Sequence, residues 1–282
     1  MTIAYEQKDT ILHVESLSIA YGDKVIISDI SFTEKDTIRK DKVQGQTIAF
    51  VGRSGRGKST LFKALTGLEQ PTTGVVLIPD FSQSITNGNQ PAKKVREGDV
   101  GFVNQKYTLF RHKTIYQALQ FSLRNSSISA SEKQEKIMKY LADWGLEQCK
   151  NQYPNELSGG QKQRTAILEQ LLNSNYYMVL DEPFSGLDVG NILNVKESFR
   201  LVNESHELNT IIFSTHDIEL AVELADSVYV VGYPKNNNGT LNRTGTILKH
   251  FDLKEMGLAW QGEFTDKHLD VAKEIKSIML DS

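Results

Sequence analysis

One eight-residue run constrains this chain more than any other: Gly52-Arg53-Ser54-Gly55-Arg56-Gly57-Lys58-Ser59. A short apolar segment, Thr47 to Val51, precedes it. A segment of helical character, Ser59 to Thr66, follows and ends at Gly67. The run fits the pattern G-x-x-x-x-G-K-[ST] in full, and strand, loop and helix come in the order that pattern requires. Its glycines let the loop turn tightly, so that backbone N–H groups point inward at phosphate oxygens. The start of the helix adds partial positive charge. Lys58 can reach the β- and γ-phosphates of a nucleotide, the Ser59 hydroxyl can ligate Mg²⁺, and Thr60 lies next to it at the phosphate end of the helix. Arg53 and Arg56 make the loop unusually basic; each either touches phosphate or is solvated.

The rest of the chain supports an ordinary globular protein. It has 282 residues, 39% hydrophobic and 24% charged, enough to bury a core without disulfides or metals. A net charge of −3 gives no footprint for non-specific nucleic-acid binding. The one cysteine, Cys149, rules out a disulfide within the chain and suits a reducing compartment; it reads as a helix-end side chain without chemistry. No apolar run approaches the ~18–20 residues that span a bilayer, and the first residues lack a secretory core. The expectation is a cytoplasmic protein whose membrane role, if any, comes through a partner.

Residues 10–33 alternate apolar and polar side chains, predicting two or three strands with a turn at Tyr21-Gly22-Asp23. Residues 34–46 are highly charged and read as an exposed hairpin tip or loop, and 80–98 as a polar loop excursion. From about Thr108 to Leu172 the pattern is helical. Within it Ser131-x-x-Gln134 reads as a capping box opening a helix with Ile137, Met138, Leu141 and Trp144 on one side, stopped near Gly145. Apolar strands follow at Tyr176 to Leu180, Thr210 to Ser214 and Ser227 to Val231, separated by helical stretches, which predicts a parallel sheet. Asn236-Asn237-Asn238-Gly239 marks a hairpin turn. An amphipathic helix over 264–280 offers Leu269, Val271, Ile275 and Ile278 as its apolar side. There is no internal repeat.

The strand Tyr176 to Leu180 ends in two carboxylates, Asp181 and Glu182, at the sheet edge where ligands bind in such folds. Asp181 is suited to hold Mg²⁺, directly or through water, and Glu182 to polarise an attacking water as general base. A second anion site stands at another helix start, Leu157-Ser158-Gly159-Gly160-Gln161.

That last element resembles the signature sequence of ABC ATPases. The remaining family elements have counterparts in order. Gln105 resembles the Q-loop glutamine, which approaches Mg²⁺ and senses the γ-phosphate. Ser185 to Asp188 resembles the D-loop, His216 the switch histidine, and Tyr21 the aromatic residue that stacks on adenine; an exposed strand-end tyrosine is the plainer reading of Tyr21. The resemblance covers roughly residues 10–250 and implies an α/β P-loop core with an N-terminal antiparallel β subdomain and an inserted helical subdomain at about 107–175. The remaining 251–282 reads as a short helical tail, without a separate regulatory domain.

The resemblance also implies a mechanism. Two subunits pack head to tail, each ATP lying between the Lys58 loop of one and the Ser158, Gly159, Gly160 and Gln161 turn of the other. Catalysis falls to Glu182, His216, Lys58 and Gln105, with ATP and Mg²⁺ as cofactors and Ser59, Asp181 and Gln105 around the metal. The partners implied are a second ATPase subunit, transmembrane permease subunits and a solute-binding protein, with no nucleic acid. Residues 107–115 resemble the importer segment that faces the permease, with Arg111 where proline is usual, and imply solute import. The competing readings are a soluble ABC ATPase without a transport role and a subunit that binds ATP without hydrolysis. A plain P-loop kinase or GTPase would not need the second anion site.

Overall fold

The computed structural model describes residues 4–85, 90–104, 106–174, 176–236 and 239–282. The chain opens with two long antiparallel strands, β1 (Tyr5–Tyr21) and β2 (Lys24–Arg39), joined at Gly22-Asp23. β3 (Gln46–Val51) leads through the glycine-rich loop to α1 (Lys58–Leu65). β4 (Thr73–Pro79), β5 (Ala92–Lys94) and β6 (Gly101–Val103) follow. A helical stretch holds α2 (Ile115–Ser122), α3 (Ala130–Asp143) and α4 (Gly159–Asn173). The chain returns through β7 (Tyr177–Leu180), α5 (Val189–Ser205), β8 (Thr210–Thr215), α6 (Ile218–Leu224) and β9 (Ser227–Gly232). It closes with β10 (Thr246–Asp252) and α7 (Asp266–Leu280).

Two sheets result. One is antiparallel, in the order β2-β1-β4-β5; the other has six strands in the order β10-β9-β3-β8-β7-β6. In the second sheet β9, β3, β8, β7 and β6 run parallel and β10 is antiparallel to β9. β3 shows why this arrangement holds. All six of its residues are buried, as a strand covered on both faces requires. Ala49 and Val51 belong to an apolar cluster shared with the helices. Ile48 and Phe50, alternating with them, belong to a second cluster that includes residues of the antiparallel sheet. β3 is thus the shared wall of two cores, and the loop that leaves it is held on both sides.

Several local expectations need correction. The charged stretch at 34–46 is not an exposed tip throughout, because β2 continues to Arg39 and Glu34, Asp36 and Thr37 are buried. Burial there is tolerated because Glu34 accepts a hydrogen bond from the Tyr229 hydroxyl at 2.7 Å and has the buried Lys254 ammonium 3.9 Å away. The loop at 80–98 contains β5, paired with β4; residues 86–89 lie outside the described part. The capping box of α3 is Ser129 with Glu132, two residues before the expected Ser131 and Gln134. In α7, Val271, Ala272, Ile275 and Met279 are buried, whereas Leu269 faces outward. At the 236–239 turn, the Asn236 N–H donates to the Thr240 carbonyl and the Gly239 N–H to the Asn236 carbonyl; Asn237 and Asn238 lie outside the described residues. Among the described residues no helix is long and apolar enough to cross a membrane.

Candidate nucleotide-binding and catalytic site

The strand order brings β3, β8 and β7 side by side, so the residues that follow them gather at one edge of the sheet. The glycine-rich loop leaves β3 in close contact with β9. A Cβ on Gly52 would lie 2.3 Å from the Val231 carbonyl oxygen, which leaves room for no other residue. Gly57, at the N-cap of α1, has a φ of 96° and lies over the Ile27 side chain. Lys58 is buried, its Nζ donating to the Gly52 carbonyl at 2.6 Å and lying 3.5 Å from the Arg53 carbonyl and 3.5 Å from Glu182 Oε1. Ser54, Gly55 and Ser59 are exposed, and Thr60 is half-buried. The Arg53 side chain is solvated, but the Arg56 guanidinium is turned onto the Tyr233 ring and the Ser282 carbonyl.

One hydroxyl that sequence reasoning passed over fixes the Asp181 carboxylate and the Glu182 backbone together. Ser214 Oγ, fully buried on β8, donates to Asp181 Oδ1 at 2.7 Å and accepts from the Glu182 N–H at 2.9 Å. The Asp181 N–H donates to the Val103 carbonyl on β6. Glu182 has a φ of 50°, in the left-handed region, at the end of the strand. Its Oε2 lies 2.9 Å from His216 Nδ1 and its Oε1 faces Lys58. Lys58, more than a hundred positions earlier in the sequence, and His216, 34 positions later, therefore converge on the Glu182 carboxylate. Gln105, expected to join them, lies outside the described residues.

Tyr21, at the end of β1, is half exposed, and its hydroxyl donates to Glu69 Oε2 at 3.1 Å. Partial desolvation and the Glu69 carboxylate raise the pKa of its phenol, and a hydrogen bond with Thr60 opposes them, so the ring stands beside the first turn of α1. The Ser158 turn is built as a capping box. Ser158 Oγ accepts from the Gln161 N–H, and Gln161 Oε1 accepts from the Ser158 N–H. Gln161 Nε2 also meets the sulfur of buried Cys149 at 3.0 Å, so both ends of that side chain are occupied. Ser158 and Gly159 are exposed, while Gly160 is buried beside the Asn194 side chain. Asp188 is exposed and caps α5 through the Asn191 N–H.

A second feature not anticipated from sequence joins the helical part to the catalytic strand. The Tyr107 hydroxyl donates to the Pro183 carbonyl at 2.9 Å and accepts from Gln163 Nε2 at 2.6 Å. Burial pushes the Tyr107 phenol up to about 12, so it stays a donor at any ordinary pH. Further along the same segment Phe110 is exposed and packs edge-on against Phe121, with rings 5.2 Å apart.

A parallel α/β sheet with a phosphate-binding loop at its carboxyl edge defines a P-loop nucleotide-binding domain. Residues 36–185, more than half the chain, match the ABC transporter family model. The chain is 36% identical over 222 residues to the arginine transport ATP-binding protein ArtM of Bacillus subtilis, covering 77% of this chain and 85% of that one. It is 34% identical over 234 residues to the sulfate/thiosulfate import ATP-binding protein CysA of a Synechocystis strain, covering 83% of this chain but only 60% of that relative's length. The solved structure of CbiO1 from Clostridium perfringens, part of an ABC transporter complex, superimposes with a TM-score of 0.67 at 24% identity, over 96% of this chain and 98% of that one. The chain belongs to the ABC transporter family.

Proposed function

We propose that this chain binds and hydrolyses ATP and that its turnover powers solute import through membrane permease subunits. The observation that carries the reading is Glu182, a carboxylate held between His216 Nδ1 at 2.9 Å and Lys58 Nζ at 3.5 Å beside a complete phosphate-binding loop. Loop N–H groups and Lys58 bind the β- and γ-phosphates, and Tyr21 stacks on adenine. Lys58 exchanges Glu182 for phosphate when nucleotide arrives. Glu182 then orients a water and takes its proton as the water oxygen bonds to the γ-phosphorus and the bond to the β-phosphate oxygen breaks. His216 keeps the carboxylate aimed at that water. ADP and phosphate are the products.

The exposed Ser59 hydroxyl and the Asp181 carboxylate, whose Oδ1 is already anchored by Ser214, are hard oxygen donors of the kind that suits Mg²⁺. When bound there, the ion neutralises charge on the β- and γ-phosphates. Ser158 and Gly159 are exposed at the start of α4 and, with Gly160, are read as the half-site offered to a second subunit, in a head-to-tail dimer that closes on ATP and opens after hydrolysis. The catalytic domain is taken as about 10–250, with 107–175 as the helical part and 251–282 as a tail. The functions of the two relatives, sulfate/thiosulfate import and arginine transport, support solute import and leave the solute of this chain open.

Glu182→Gln is the test. ATP should still bind, while hydrolysis falls by roughly 10²–10⁴-fold, and an ATP-bound dimer should accumulate in size-exclusion chromatography. Unchanged turnover would remove Glu182 from its role. Full activity that never responds to a co-purified multi-span membrane protein would remove the transport role.

A further inference from the structure

The Arg56 side chain is held by a remote part of the chain. Its guanidinium carbon lies 4.0 Å from the centre of the Tyr233 ring, and its Nη2 donates to the Ser282 carbonyl at 3.0 Å. Tyr233 closes the arrangement from the other side, because its hydroxyl donates to the Gly55 carbonyl at 3.0 Å. Two consecutive loop residues are thereby fastened from behind, Gly55 by its backbone and Arg56 by its side chain. The fastening is itself anchored. Ser282 is buried, its hydroxyl donates to the Met279 carbonyl of α7, and it packs against Gly232, where an added Cβ would lie 2.6 Å from Ser282 Oγ. Lys235 and Asp281 add an exposed ion pair across the same junction.

We infer that Arg56 is a positioning residue: Tyr233 and the 279–282 end of the tail hold the phosphate-binding loop in its binding shape through it. The physical case is one of preorganisation. A glycine-rich loop has many backbone states, and selecting the one with inward N–H groups costs affinity unless other contacts have already selected it. A cation over an aromatic face and two hydrogen bonds to the loop supply that selection without touching nucleotide. The Arg56 guanidinium is taken up by the Tyr233 ring and the Ser282 carbonyl, so its role here is to hold the loop rather than to meet phosphate. The same contacts make the tail a lever: whatever displaces the 279–282 segment loosens the loop.

The inference rests on the reading of the loop as an ATP site, and its test separates the two. In the Glu182→Gln background, ATP binding is measured by equilibrium dialysis for the parent, Tyr233→Leu, Tyr233→Trp, Arg56→Met, the Tyr233→Leu/Arg56→Met double variant and Gly232→Ala. Melting curves report folding. A parent that binds no ATP overturns the ATP-site reading itself. If the parent binds, Tyr233→Leu and Arg56→Met should each weaken ATP by roughly tenfold. The double variant should lose no more than either single one, and Tyr233→Trp, which restores a ring face, should recover most of the affinity. Gly232→Ala, which crowds Ser282 and Leu248 and leaves the loop untouched, should weaken ATP in the same direction. In the Glu182 parent the same changes should raise KM and leave kcat within about twofold. Full ATP affinity in Tyr233→Leu, or losses that simply add in the double variant, would overturn the positioning role.

Discussion

Replacing Glu169 with glutamine should make the protein's stability less sensitive to pH, and the size of the effect follows from the site. Glu169 lies on the inward face of α4, is 5% exposed, and its Oε1 has no hydrogen-bond partner among the described residues. Desolvation by burial raises its pKa from 4.5 to about 7. The folded chain therefore keeps a proton over that window that the unfolded chain has released. By linkage, the folded state loses stability as pH rises from 4.5 to about 7, at about 1.4 kcal/mol per pH unit and about 3 kcal/mol in all. Glutamine is neutral throughout and nearly the same size. Glu169→Gln should match the parent near pH 4.5 and exceed it by about 3 kcal/mol above pH 7. Urea unfolding followed by tryptophan fluorescence at pH 5, 6, 7 and 8 reads the difference directly, since Trp144 is buried. Parallel stability curves for the two proteins, separated by the same amount at every pH, would refute the argument.

Other outcomes follow from the site. Ser214→Ala removes the group that holds Asp181 and the Glu182 N–H together and should lower kcat by roughly 10–100-fold with a smaller change in KM, read by steady-state ATPase kinetics. Gly52→Ala places a methyl 2.3 Å from the Val231 carbonyl, between two backbones that cannot both yield; isothermal titration should find ATP affinity reduced more than tenfold, with stability lower by about 1–3 kcal/mol. Tyr107→Phe breaks the bond to Pro183 and leaves Gln163 Nε2 with only its longer bond to the Pro183 carbonyl at 3.3 Å, and urea unfolding should report a loss of about 1–2 kcal/mol.

What the sequence made legible is what local chemistry encodes. The loop at 52–59, the strand before it and the helix after it are set by glycine spacing and apolar runs, and the structure has them there. The Asp181-Glu182 strand end and the Ser158 cap are equally local. Glu34 and Asp36 misled because charge normally means solvent, and the partners that make the burial of Glu34 possible, Tyr229 and Lys254, come from β9 and just after β10. Ser214 read only as part of a strand, although a hydroxyl at a strand end two residues before His216 was a usable signal. Tyr233 and Ser282 carried none, because their contact with Arg56 exists only after β9, β10 and α7 have packed. The α3 capping box slipped by two residues because Ser129 and Ser131 are both followed three positions later by a suitable acceptor, and only packing of the helix decides between them.

The place of β3 in the sheet bears on how the chain is made. Its only strand neighbours are β8 and β9, and Gln46 pairs with Thr210, 164 positions further along. A ribosome working at roughly 5–20 residues per second needs on the order of ten seconds or more to supply that partner. Through that interval the apolar β3 and the loop it carries are outside the ribosome with nothing to pair against. Nucleotide cannot help the nascent chain fold, because the site forms only near the end of synthesis. The same strand that makes the finished site rigid is thus the longest-waiting, most aggregation-exposed piece of the unfinished one, and chaperone binding during synthesis should concentrate there.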